Sequence, residues 1–342
     1  MTVREDTAGI AASEPRRIGG LTVPVWQRLL TIAILLIALV PPLFLRNFTV
    51  FQLTLVMVYA IAILGLNLLT GFNGQFSLGH SAFYAIGAYT TAILMDRFGV
   101  PYFLTLPVAG VICLVVGFLF GLPALRLENL YLALATFALA VATPQLLKLS
   151  ILEHWTGGVQ GIVINKPDAP FGLPLSQDKW LYYFTLFVLV LMFLGATKLV
   201  QSRTGRALKA IRDNPLAAKA MGIDTAFYKS MAFGVSALYT GIAGSLGAIV
   251  VQFVAPDSFT FFLAVSFLVG LVIGGVGWIP GAVIGGLFIM FIPNLAEQVS
   301  KGLAWAVYGV ILILVIYVMP TGAAGFVRLV AGRLSRLTSS NR

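Results

Sequence analysis

Apolar runs follow one another along almost the whole chain, with hardly a charge inside any of them. They cover roughly residues 29–45, 50–70, 75–95, 101–125, 129–149, 180–199, 229–253, 259–276, 279–297 and 303–319. A bilayer-spanning helix needs about 17–25 such residues. In hydrocarbon every backbone N–H and C=O must also find its partner within the protein, which selects helices. The pattern specifies an all-α polytopic membrane protein of about ten transmembrane helices. Composition agrees: 59% of residues are hydrophobic and 10% charged, whereas a soluble domain is about a quarter charged. The 29–45 run is followed by Arg46 and Asn47 rather than by a small-residue cleavage site, and reads as a retained first span. Gly274, Gly275, Gly277 and Pro280 leave little room between the eighth and ninth segments, which are either two spans or a short re-entrant pair.

Charge placement tests the count. With ten spans both termini lie on one side, together with Arg126 and the 198–229 stretch. That side then holds sixteen of the 22 basic residues and six of the 12 acidic ones, so the entire formal charge of +10 falls on one face. The excess of Lys and Arg assigns this face to the cytoplasm. Nine or eleven spans would divide the basic segments. The basic balance reports topology and calls for no nucleic-acid partner. The expected organisation is a cytoplasmic tail at 1–27, a transmembrane domain at 28–325 and a second cytoplasmic tail at 326–342.

Two extramembrane loops are long enough to act. The outer one, 150–179, carries Trp155, Thr156, Gly157, Gly158 and Gly161, then Pro167, Pro170 and Pro174. Long loops without structure of their own are often functional. In the inner one, 198–229, Thr204 is positioned to cap a short helix that puts Leu208 and Ile211 on one face and leaves Arg206, Lys209 and Arg212 solvated. Asn214 followed by Pro215 reads as N-cap and first residue of a second helix, which Gly222 ends. Such a helix pair suits insertion into a partner's groove, or equally a position on anionic lipid.

Residues 69–94, LTGFNGQFSLGHSAFYAIGAYTTAIL, lead from a glycine-punctuated turn into a helix rich in small residues. Small residues let helices approach closely in a bilayer. Gly71, Gly74 and Gly79 either serve that packing or mark a broken helix along a path, with Asn73, Gln75, Ser77 and His80 offering hydrogen bonds. Gly274, Gly277, Gly281 and Gly285 repeat the rhythm on the same side of the membrane, whereas two inverted halves would place an echo on opposite sides.

Several chemistries lack their residues. One cysteine, Cys113, allows no internal disulfide, and His80 and His154 are too few and too far apart to suggest a metal cluster. No Gly-Lys pair occurs, so no phosphate-binding loop is present. Ionisable residues are scarce within the spans, which disfavours a self-sufficient ion-coupled carrier. Glu297, Asp257 and Lys148, near the outer ends, keep that alternative open. No nucleophile–base constellation marks an enzyme.

Taken together, Gly71-Phe-Asn-Gly-Gln-Phe-Ser-Leu-Gly-His80 with Gly87-Ala-Tyr89, Leu125-Arg-Leu127, Tyr131-Leu-Ala-Leu-Ala-Thr136, Thr156-Gly-Gly-Val-Gln-Gly-Ile162, Ser202-Arg-Thr-Gly-Arg-Ala-Leu-Lys-Ala-Ile-Arg212 and Gly274-Gly-Val-Gly277 occur in one order over about 50–290. The chain thereby resembles the LivM-type permease subunits of branched-chain amino acid ATP-binding-cassette importers. The resemblance implies a non-catalytic permease, without cofactor, in a bacterial inner membrane, working by alternating access. Two inverted five-span halves are expected.

The implied partners are nucleotide-binding ATPase subunits, a related H-type permease, a periplasmic binding protein and membrane lipid. The resemblance makes 203–222 the coupling element, with Arg203, Gly205, Arg206, Lys209, Arg212, Ala217, Ala218 and Gly222 as its residues. Leu216 stands where many such permeases carry a glutamate. Asn73, Gln75, Ser77 and His80 become candidates for the translocation path or gate. A urea or amide importer is the alternative within the same family.

Overall fold

In the computed structural model the described residues are 17–18, 21–22, 38–124, 129–170, 175–299, 304–318 and 322–325. The rest of both tails, most of the 29–45 segment, Arg126 with its neighbours Leu125 and Leu127, and Pro174 lie outside them. The chain divides into two units. In the first, β1 (Arg17–Ile18) pairs antiparallel with β2 (Leu21–Thr22), and α1 spans Pro41–Phe44. The second, Leu45–Arg328, contains every other element.

The helices of the second unit follow the apolar segments. In order they are α2 (Asn47–Leu66), α3 (His80–Phe98), α4 (Tyr102–Ala124), α5 (Asn129–Leu147), α6 (Ser150–Thr156), α7 (Gln177–Gln201), α8 (Arg203–Asp213), α9 (Pro215–Ala220), α10 (Thr225–Val251), α11 (Phe261–Gly274), α12 (Gly281–Val299) and α13 (Ala304–Val318). Among the described residues, six helices are long and apolar enough to cross a membrane: Asn47–Phe72, Tyr102–Pro123, Gln177–Gln201, Thr225–Val251, Pro256–Gly274 and Gly281–Gln298. Tyr131–Leu147 with α6, bent by 81°, would make a seventh. The described residues thus give an all-α polytopic membrane protein with fewer clear spans than ten. Helix α3 falls short because Asp96 and Arg97, together with His80 and several hydroxyl side chains, make it too polar, and of α13 only 15 residues are described.

Helices α2 and α10 are central. In their most apolar windows 83% and 78% of residues are buried, against 28–39% for the other four spans. Helix α10 packs on α4, α3 and α2, while α2 also packs on α12 and α7. The closest approach depends on glycine: a side chain at Gly87 of α3 would collide with the backbone of Gly241 in α10. Backbone contact of this kind is how helices gain packing energy where lipid offers no hydrophobic drive.

At one end of the bundle β3 (Ile162–Val163) pairs antiparallel with β4 (Phe253–Val254), and Lys148 meets Asp257 at 2.5 Å. The 150–179 stretch, expected to lack structure, therefore contains α6 and β3. Its glycines earn their place in one tight spot, where Gly161 at φ +73° runs against the carbonyl of Val254.

Candidate functional site

The opposite end holds the two features that the sequence singled out. Helix α2 does not stop at Leu66 but widens into a π turn, Asn67–Phe72, and irregular backbone follows to His80. Single π turns are uncommon and concentrate at functional positions. The break lies within the bundle: Leu78 N–H donates to Oγ1 of Thr136, two turns inside α5. Irregular backbone at that depth requires cover from protein, and Asn73, Gln75, Ser77 and His80 are all at most 5% exposed.

All but one of the polar atoms buried here are spent on one another and on neighbouring helices. Asn73 Nδ2 donates to Gln75 Oε1, and Thr70 Oγ1 donates to the carbonyl of Gln75 at 3.0 Å. Ser77 Oγ lies 3.2 Å from His80 Nδ1, and His80 Nε2 lies 2.7 Å from Ser236 Oγ. Ser236 in turn donates to the carbonyl of Gly65 at 2.7 Å. A single ring proton on Nε2 satisfies the whole series: Ser77 donates to Nδ1, Nε2 donates to Ser236, and Ser236 donates to Gly65. The neutral imidazole thus ties α3 to α10 and α2. Asn73 Oδ1 is buried without a partner among the described residues.

The inner loop folds as two short helices meeting at Asn214. That residue closes α8 and caps α9, its Oδ1 accepting from the N–H groups of Leu216 and Ala217 at 3.1 Å. Pro215 follows at the first helical position, and Gly222 ends the pair at φ +82°. One cap differs from expectation. Ser202, not Thr204, caps α8, its Oγ accepting from Gly205 N–H. Helix α7 runs on to Gln201, so the chain turns at once into α8 and Thr204 is already inside the helix. Gly205 sits where a Cβ would strike the carbonyls of Leu199 and Val200.

Helix α8 is strongly two-faced. Leu208 and Ile211 are buried, and Leu208 joins a cluster with Leu69, Leu132 and Phe233. Arg203 and Arg206 are exposed on the other face, as is Ala217 on α9, whereas Ala218 is buried. Lys209 is half-buried, whereas Arg212 stays exposed, its side chain 43% accessible, and still reaches the bundle with one nitrogen. Lys209 Nζ lies 5.7 Å from the Phe72 ring centroid, and Arg212 Nη1 donates to the carbonyl of Gly71 at 2.7 Å.

Three groups escaped the sequence reading. Asn67 reaches the second glycine turn: its Nδ2 donates to the carbonyl of Trp278 at 3.0 Å, and its Oδ1 accepts from Gly277 N–H at 2.8 Å. Its one available signal was an amide side chain inside an apolar run. Ser236 was hidden among other small residues of α10. Leu216, noted in the sequence only for the glutamate it replaces, and Met221 are 81% and 83% exposed, large apolar side chains on an otherwise polar helix pair.

Fold and site together define an integral membrane protein whose solvated helix pair is anchored on a broken, buried turn. Residues 48–319 match the family model described as "Branched-chain amino acid transport system / permease component", and the chain belongs to that family. Among similar proteins, the high-affinity branched-chain amino acid transport system permease protein LivM of Escherichia coli K12 is 35% identical over 277 residues, 73% of this chain and 64% of LivM. The chain thus spans just under two thirds of that relative's length. The probable branched-chain amino acid transport permease protein LivM of Methanocaldococcus jannaschii is 27% identical over 77% of this chain and 89% of its own length. The LivH permease protein of E. coli K12 is 25% identical over 80% and 92%. No solved structure matches the chain.

Proposed function

We propose that the chain is the permease subunit of an ATP-binding-cassette importer that moves branched-chain amino acids across a bacterial inner membrane by alternating access. The carrying observation is the family match over residues 48–319. The energy source lies elsewhere, in ATPase subunits received by the α8–α9 pair. Leu216 and Met221 are its docking tip, and Arg203, Arg206 and Ala217 its exposed flank. A permease of the LivH kind pairs with this chain, and a periplasmic binding protein delivers substrate at the end formed by α6, β3 and β4. The apolar surface of α4, with Val111, Val115 and Leu119 exposed, suits acyl chains or the second permease.

Asn73, Gln75, Ser77 and His80 belong, in this reading, to a gate and not to an open wall, because they hold the break in α2–α3 closed. Ten spans in two inverted five-span halves, with both termini cytoplasmic, complete the proposal. Its support is that α2, α3, α4, α5, α7, α10, α11, α12 and α13 coincide with nine of the ten apolar segments.

The test is leucine uptake into vesicles containing this chain, its partner permease, the ATPases and the binding protein. Uptake that needs ATP and the binding protein, and that is lost on deleting 203–222, is the expected result. Uptake by this chain alone that an ionophore abolishes would replace the importer with an ion-coupled carrier. ATP-driven transport of urea or amides in preference to leucine would move the substrate assignment to the alternative.

A further inference from the structure

We propose that Arg212 is the positioning residue that links the α8–α9 pair to both glycine turns, so that displacement of the pair is passed to the break at 71–79. The inference rests on the reading that 203–222 receives an ATPase subunit, and says how the motion goes further.

Arg212 stands at the corner of the pair, two residues before the Asn214 cap. Its Nη1 donates to the carbonyl of Gly71, 141 residues away, and Nε and Nη2 each lie 3.3 Å from Asp213 Oδ1. The aliphatic stem covers the other side of the same turn, where a Cβ at Gly74 would come within 2.7 Å of Arg212 Cγ. One side chain therefore touches the turn at both Gly71 and Gly74. A Cβ at Gly277 would lie 3.5 Å from the Gly71 carbonyl and 3.7 Å from Arg212 Nη1. Asn67 then bonds Gly277 and Trp278 directly. The contacts run without a gap from α8 through Arg212 and Gly71 to Asn67 and the turn between α11 and α12.

The chemistry suits transmission. Carbonyls in the last turn of a helix lack intrahelical partners and attract cations, and Lys209 adds a second positive charge beside Phe72. A planar guanidinium fixes direction as well as distance, which a lysine ammonium on a flexible stem does not. Gly71 and Gly277 have no side chains to cushion the contact, so movement of one turn moves the other.

The experiment uses the reconstituted importer and reads two quantities: leucine transported per ATP hydrolysed, and hydrogen exchange in residues 67–79. Arg212→Met is expected to lower leucine per ATP about tenfold or more, the scale of one charge-assisted hydrogen bond. Exchange at 71–79 rises, and the ATPase subunits still co-purify. Arg212→Lys recovers part of the ratio. A wild-type ratio in Arg212→Met overturns the proposal. So do uptake and hydrolysis falling in parallel, which marks a plain structural brace, and loss of the ATPase subunits, which marks a direct partner contact. Docking is tested separately with Leu216→Asp combined with Met221→Asp. Loss of the ATPase subunits from this variant supports docking, and their retention removes docking together with the proposal built on it.

Discussion

Nε2 of His80 lies 2.7 Å from Oγ of Ser236, 156 residues further along the chain, and both side chains are at most 1% exposed. Together with Ser77 and the Gly65 carbonyl they make a continuous line of hydrogen bonds across three helices. Bonds of this kind inside membrane proteins average about 0.6 kcal/mol and reach about 1.7 kcal/mol in double-mutant cycles. For His80→Ala, Ser236→Ala and the double variant, the coupling energy is expected in the upper part of that range, because both partners are held by a second bond. Unfolding in mixed micelles measures it, and a coupling energy near zero would show that the line contributes nothing to helix association.

Asn67 provides the direct hydrogen bonds between the two glycine turns. Asn67→Ala leaves the part-buried Gly277 N–H without its partner, at a cost of about 1 kcal/mol, the low end for an unsatisfied donor. Thermal stability falls, and exchange at the Gly277 amide rises selectively. Unaltered exchange there would mean that the second turn is held by its own backbone.

Gly87 abuts backbone, whereas Gly309 faces open space. Gly87→Ala forces a Cβ into the Gly241 backbone, and overpacking of this kind costs about 1–3 kcal/mol. Gly309→Ala meets no atom within 4 Å and is expected to be neutral or stabilising by about 0.5–1 kcal/mol, since glycine weakens a helix interior. Melting temperatures of the two purified variants should move in opposite directions or diverge clearly.

The α8–α9 corner depends on one amide. Asn214→Ala is expected to destabilise α9 by about 1 kcal/mol, and Asn214→Asp to preserve it, because either side-chain oxygen accepts from Leu216 and Ala217. Hydrogen exchange across 215–220 distinguishes them. Equal protection in both variants would assign the corner to Pro215 and packing alone.

Much of this architecture could be read from local pattern. Apolar runs located the helices to within a few residues, since lipid compatibility acts residue by residue. The Asn214–Pro215 start and the Gly222 stop were equally legible, because a cap is a property of three or four adjacent residues. Thr204 was the instructive miss. The cap chosen, Ser202, depends on where the preceding helix ends, and α7 continues to Gln201.

The sequence alone determined that this chain is a bundle of membrane helices with a charged, capped helix pair and two glycine turns. Hydropathy, caps and glycine each act at short range, so they survive without knowledge of the fold. Tertiary structure decided that the turns meet through Asn67, that His80 reaches Ser236, and that Lys209 and Arg212 reach Phe72 and Gly71. Those partners lie 137 to 211 residues apart. No periodicity encodes such pairings; the His80–Ser236 bond exists because packing α2, α3 and α10 backbone to backbone leaves their few polar atoms only each other to satisfy.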